Sequence, residues 1–260
     1  MTSTCTPRRS PKPSRRFPDL DVADLALVCA VVLATSLVQA TAGFGFALLT
    51  VPFLLIRLDL ESSVIVATLI GTLANLGHSV QGRRFIHPVL TRRFLVCTVL
   101  GGPVGAFVLF TVEERWLKVV LGVSILFGVA VLQRGFDARE RGPWFDVIFG
   151  LVSGVLNTAT STNGPPLVFV LQARRIPPEV FRATLNTVFV FSGVYAGAIF
   201  AVQGRISMSE IGLAASSMPF LIGGSVLGVW VRSRIDERRF RLAVLGLLCV
   251  SGCSTLLSAI

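Results

Sequence analysis

From residue 22 onward, long apolar stretches alternate with short polar loops, and two of the stretches are interrupted in the middle by glycine and polar residues. The uninterrupted ones cover 62–80, 94–112, 116–133, 183–203, 209–231 and 242–259. Each is long enough for a helix to cross the roughly 30 Å hydrocarbon core of a bilayer. Hydrophobicity does not alternate along them as it would in a transmembrane β-barrel. The pattern predicts an all-α polytopic membrane protein with about eight to ten membrane segments.

The interrupted stretches carry most of the information. Residues 144–172 are apolar except for Asn157-Thr-Ala-Thr-Ser-Thr-Asn-Gly-Pro-Pro166. Pro165 and Pro166 cannot sit inside a regular helix but suit the first turn of a new one. One helix is expected to stop near Asn157 and another to start near Gly164. Residues 22–56 are too long for one span and short for two, with a seam at Gln39-Ala-Thr-Ala-Gly-Phe-Gly45. Two half-length legs meeting near mid-membrane fit that length. Backbone broken at membrane depth must be buried in protein or line a watery cavity, and in secondary transporters such breaks mark the substrate site.

The chain reads as two homologous halves, each opening with a broken or re-entrant helix pair. Four marks recur in order: the break (Gly43 to Gly45; Asn163 to Pro166), an Ala-Thr pair (Ala67-Thr68; Ala183-Thr184), a Gly-Gly span (Gly101-Gly102; Gly223-Gly224), and Glu-Arg followed by Leu-Gly (Glu114-Arg115, Leu121-Gly122; Glu237-Arg238, Leu245-Gly246). The expected organisation is a basic, disordered tail over 1–21, a first membrane repeat over 22–133, a basic linker over 134–143 and a second repeat over 144–260. Ser14-Arg15-Arg16-Phe17 faintly resembles a twin-arginine signal, but the apolar region behind it is too long for a signal peptide, so no cleavage is expected.

Composition agrees with the membrane class. Mean hydropathy is +0.76 and 15% of residues are charged, against about 25% in soluble domains. The net charge of +10 would suggest nucleic acid in a soluble protein. Here the basic residues cluster in loops 81–93, 134–143, 173–182 and 232–241, which hold 4, 3, 3 and 5 Lys+Arg. These loops share one side only if 144–172 enters and leaves on that side, which is what the positive-inside rule favours. The same behaviour in 22–56 would make the halves inverted repeats and put the tail outside, against its own basic charge. The side of the N-terminus stays open. Of the five cysteines, four lie in apolar spans and none forms a metal-type pair, so all are read as reduced and structural.

Several polar residues are candidates for a binding site. Helix N-termini near Gly43 and Gly164 would aim backbone N–H groups and a positive dipole end at an anion. Gly45 allows close backbone approach, and Thr160, Ser161, Thr162 and Asn163 add donors, with Asn157 and Pro165 completing the second break. Gln39 and Thr41 are the counterparts in the first half. Each hydroxyl has a competing reading as a bond to its own helix backbone. Asn75 and Asn186 read first as helix-to-helix bonds. His78 reads as structural or interfacial, and Arg182 as a loop residue or a gate for anions at the mouth. The Gly-Gly pairs read as close helix packing. No carboxylate sits at mid-depth, so either the substrate carries its own proton or transport is a uniport. Acidification strictly tied to substrate uptake, whatever the substrate's pKa, would refute the uniport.

The residues that carry a family likeness are Gly43-Phe44-Gly45-Phe46 with Val51-Pro52, Gly154 followed by Asn163-Gly164-Pro165-Pro166, and Phe181-Arg182-Ala183-Thr184. Over about residues 22–258 the chain resembles the TauE/SafE family of membrane transporters, also called the toluene sulfonate uptake permease family. The resemblance implies a multi-pass permease of the bacterial inner membrane for small anions such as sulfite, sulfoacetate, sulfonates and related sulfur or carboxylate compounds. The family's first motif is usually richer in glycine. Here Phe44 and Phe46 add bulk, which bears on substrate size.

The reading is therefore a secondary transporter whose partners are a small anionic substrate and the lipid bilayer, with no nucleic acid, cofactor or metal, and with a homo-oligomer left open. An anion channel and a structural or assembly protein without transport are the alternatives. An enzyme is not expected, because two histidines and no nucleophile–base cluster leave little to build on.

Overall fold

The structure is a computed structural model, and it describes residues 22–133, 137, 141–232, 234 and 237–259. The expected tail at 1–21, Cys5, most of the 134–143 linker and part of loop 232–241 lie outside the described residues. Among the described residues ten α-helices follow one another: α1 (Val22–Ala42), α2 (Phe46–Leu54), α3 (Leu60–Gly82), α4 (Pro88–Thr111), α5 (Glu114–Gln133), α6 (Pro143–Thr160), α7 (Gly164–Ala173), α8 (Pro178–Val202), α9 (Met208–Arg232) and α10 (Glu237–Leu257). Six of them, α1, α3, α4, α5, α8 and α9, are long and apolar enough to cross a membrane. This is a polytopic helical membrane protein. The expected eight to ten segments compare with those six spans plus α6, α10 and the two short helices α2 and α7. At 1.5 Å per residue, α2 and α7 are only about 14 and 15 Å long and cannot cross a bilayer alone.

Local chemistry sets the boundaries. Proline stands at the start of α4, α6, α7 and α8, where its missing N–H costs nothing. Asp59 caps α3 by accepting from Ser62 N at 3.3 Å. Both expected breaks are present. The first falls at 43–45, where Gly43 and Gly45 have φ of 86° and 103°, a backbone open mainly to glycine. Its legs are unequal, 21 residues in α1 and 9 in α2, rather than the two half-lengths expected, because the glycine pair sits well past the middle of the stretch. In the second, α6 runs on to Thr160, three residues beyond the expected stop near Asn157. Ser161 then turns left-handed at φ 57°. Ser161 N donates to the Asn157 carbonyl and Thr162 N to the Leu156 carbonyl, which closes the helix end in a Schellman-like manner.

The long helices pack in pairs: α4 along α6, α1 along α9, α3 along α8 and α5 along α10. Two of these seams are made by glycine. A Cβ on Gly101 would lie 2.8 Å from the Leu151 carbonyl oxygen, one on Gly154 2.7 Å from that of Cys97, and one on Gly228 2.6 Å from that of Leu37. Gly105 and Gly224 sit against the backbones of Val155 and Leu33 in the same way. Small residues let backbones approach and gain dispersion contacts where lipid offers no hydrophobic drive. Exposed Val96, Leu100, Val104 and Phe107 form the outer face of α4, as a lipid-facing surface requires.

Ion pairs show which ends lie together. Asp146 at the start of α6 is fully buried and binds Arg174 just after α7 (2.7 Å) and Arg93 in α4 (2.6 Å). Arg175 pairs with Asp137 at 3.0 Å, and His87 N donates to Thr184 Oγ1 at 3.0 Å. The described parts of loops 81–93, 134–143 and 173–182 thus meet at one end of the molecule. At the other end of α3, Arg57 pairs with Asp24 of α1 at 2.7 Å, Arg205 with Glu61 at 3.5 Å, and Ser62 Oγ donates to Glu210 at 3.1 Å. The 23 residues of α3 separate the two ends by about 34 Å. The start of α1 therefore lies on the face opposite those basic loops, an assignment the charge count left open.

Candidate functional site

The two breaks meet. A cavity of about 50 Å³ is lined by Gln39 of α1, Gly45 to Leu48 at the start of α2, Ala67, Thr68, Gly71, Thr72 and Asn75 of α3, Asn157 of α6, Ser161 to Gly164 at the second break, and Phe189 and Gly193 of α8. That is room for a few waters or one small polyatomic ion.

The electrostatics come from backbone and neutral side chains. Neither α2 nor α7 has a side-chain cap on its N-terminus, whose N-cap residues are Gly45 and Asn163. The first N–H groups of a helix have no partner within it. At α2 those are the amides of Phe46, Ala47 and Leu48. At α7, Pro165 and Pro166 carry no N–H, so that end contributes the Gly164 amide and its dipole. Positive ends of this kind favour an anion by about 0.3–1 kcal/mol when exposed and up to about 2 kcal/mol when partly buried.

Side chains hold the breaks in shape. Asn163 Nδ2 donates to Ser192 Oγ (2.8 Å) and Asn157 Nδ2 to the Ser192 carbonyl (2.9 Å), which ties both sides of the second break to α8. Ser161 and Thr68 share a hydrogen bond of 3.1 Å. Ser153 Oγ donates to the Asn163 carbonyl at 2.9 Å. Across the first break, Gln39 Nε2 donates to Asn75 Oδ1 at 2.7 Å, and Asn75 Nδ2 donates to the Gly71 carbonyl at 2.5 Å.

Of the residues expected from sequence, Gln39, Gly45, Asn157, Ser161, Thr162, Asn163 and Gly164 come together around this cavity, and so does Asn75. The others stand apart from its lining. Thr41 donates to the carbonyls of Leu37 and Gly228, sealing α1 to α9. Thr160 bonds the Leu156 carbonyl and the Thr162 hydroxyl. Pro165 packs toward Gly128 of α5. The Arg182 side chain lies against Gly43, whose Cβ would fall 2.9 Å from Arg182 Cγ. Asn186 is buried and donates to the Arg182 carbonyl at 2.8 Å, and His78 is half-buried one turn beyond Asn75. Sequence reasoning left Thr68, Gly71 and Thr72 out of the site. Their spacing, with Asn75, is i, i+3, i+4, i+7, one face of a helix, and that small and polar stripe was there to be read.

The sulfite exporter TauE/SafE family matches this chain over residues 27–255. The chain is also similar to a probable inner membrane transporter protein, TsaS, of Comamonas testosteroni, with 29% identity over 160 residues. That alignment covers 60% of this chain and 66% of the relative, just under two thirds of its length. No solved structure matches. With both breaks and nearly all of the membrane region inside the match, the chain belongs to the sulfite exporter TauE/SafE family of membrane transporters.

Proposed function

We propose that this chain is a secondary transporter that carries small anions, sulfite, organosulfonates or related sulfur or carboxylate compounds, across the bacterial inner membrane, and that it binds them in the cavity between the two breaks. The observation that carries the reading is the convergence of two uncapped helix N-termini on one buried polar cavity. A helix N-terminus is a ready anion site, and among the described residues no Lys or Arg lines this one. Amides of Phe46, Ala47 and Leu48 are the principal donors, with Gly164 opposite and Ser161, Thr162 and Asn163 supplementing them.

Two repeats, 22–133 and 144–260 joined by 134–143, support a carrier. Each described half runs long, short, long, long, long, and the pairings α4 with α6 and α1 with α9 exchange under the same swap of halves. Repeats related in this way enclose transporter sites and rock about them. The paired ends of each broken element, Asp24 with Arg57 and Asp146 with Arg174, suit re-entrant hairpins entered from opposite faces. The left-handed Ser161 adds backbone strain of about 1–2 kcal/mol at the site, a common mark of a working position. The basic loops face the cytoplasm in this reading.

The test is flux. Purified protein in sealed vesicles should move sulfite saturably and exchange it against internal sulfite. Flux that rises linearly with concentration and shows no exchange would instead make it a channel.

A further inference from the structure

The amide orientation of Gln39 is anchored at a backbone. The Gly71 carbonyl can only accept, so Asn75 turns its Nδ2 toward it at 2.5 Å and presents Oδ1 to Gln39. Oδ1 can only accept as well, so Gln39 turns its Nε2 toward Asn75 at 2.7 Å. Gln39 Oε1 is what remains. It is buried, the residue is 2% exposed and lines the cavity, and the oxygen has no hydrogen-bond partner. A buried, unpaired acceptor is costly, and in a cavity lined by amide donors it is out of place for a fully deprotonated anion, whose oxygens also only accept.

We propose, building on the anion-carrier reading above, that the cavity selects a monovalent oxyanion that still carries a hydrogen, with that O–H donating to Gln39 Oε1. The remaining oxygens of the anion face the α2 amides and the second break. Hydrogen sulfite has this chemistry, and so does dihydrogen phosphate. A plain alkanesulfonate does not, which narrows the substrate range proposed above. Among the described residues no acid, base or thiol side chain lines the cavity. The charged groups on the elements packed around it stand outside that lining: Asp24 with Arg57, Asp146 with Arg93 and Arg174, Glu61 with Arg205, and Glu210 with Ser62 and Ser207 are engaged with one another, Glu179 lies in the first turn of α8, Arg182 lies against Gly43, and His78 is one turn beyond Asn75. The pH dependence of binding is therefore that of the anion's own proton.

The experiment is calorimetric titration of the purified full chain with sulfite, phosphate and methanesulfonate, each across a pH range bracketing the second ionisation of sulfite. Apparent affinity for sulfite should fall about tenfold per pH unit once the pH exceeds that ionisation, and below it methanesulfonate should bind at least roughly tenfold more weakly than sulfite, with an affinity that does not change with pH. In Gln39→Leu the preference for the hydrogen-bearing anion should collapse. Equal binding of sulfite and methanesulfonate, unchanged with pH, overturns this inference and leaves the anion carrier standing. Absence of binding by all three overturns both. The wild-type comparison decides the matter even if Gln39→Leu fails to fold.

Discussion

Replacing Asp146 by Asn should loosen the basic face of the molecule by an amount the structure allows to be worked out. The carboxylate is fully buried and accepts from Arg93 Nη1 at 2.6 Å and Arg174 Nε at 2.7 Å. Hydrogen bonds to charged groups contribute about 1.5–3 kcal/mol each, and removing one partner of a buried ion pair costs about 3–5 kcal/mol. Two features reduce the loss. The side chains of Arg93 and Arg174 are 33% and 18% exposed, so water can reach both guanidiniums, and Arg174 keeps its bonds to the carbonyls of Arg141 and Gly142. A net loss of about 3 kcal/mol follows, near the bottom of that range. For a chain of this size it should lower the unfolding midpoint in mild detergent by about 6–12 °C. Arg174→Gln and Arg93→Gln should each cost less, and the double mutants with Asp146→Asn should be clearly non-additive. A midpoint for Asp146→Asn within a degree of wild type would refute the assignment of this triad as the clasp holding α4, α6 and the end of α7.

Three further outcomes are expected. Gly105→Val should destabilise by about 1–3 kcal/mol or more by forcing α4 off the Val155 backbone, whereas Gly246→Ala, with open space around the new methyl, should be neutral or stabilising by about 0.5–1 kcal/mol; parallel thermal melts check both. Asn163→Ala breaks the 2.8 Å bond to Ser192 and should abolish the thermal shift that the bound anion gives wild type, while costing only about 1 kcal/mol of stability in its absence. In a background without native cysteines, Arg84→Cys should react with a membrane-impermeant thiol reagent from the cytoplasmic side and Gln203→Cys from the other; labelling of both from one side would contradict the orientation.

Much of this could be read from residue types alone. Glycine and proline announce a break because their backbone limits are intrinsic, so Gly43, Gly45 and the Asn163 to Pro166 run located both interruptions to within a few residues. What resisted was anything set by partners. Thr41 and Thr160 look like site donors in sequence, yet their hydroxyls bond helix carbonyls, a choice made by rotamer and packing. Thr68 served as a mark of the repeat, and its place in the cavity emerges only when α3 is set beside the second break. Pro165 and Pro166 both signal a helix start and remove two of its donors, so in the proposed site the weight of anion binding falls on α2. The face on which α1 begins could not be settled from charge, because the basic tail argued against the loops. The Asp24–Arg57 pair settles it by placing α1's start beside the α2–α3 connection.

In the proposed mechanism a small oxyanion sits where the two broken pairs meet. Selenite has the shape and charge of sulfite and a strong anomalous signal, so crystals of the protein soaked in it would locate the anion directly. A single strong peak should lie between the α2 amides of Phe46 to Leu48 and the Ser161 to Gly164 turn, within hydrogen-bond distance of both. A peak elsewhere, or none at a concentration that saturates transport, would contradict it.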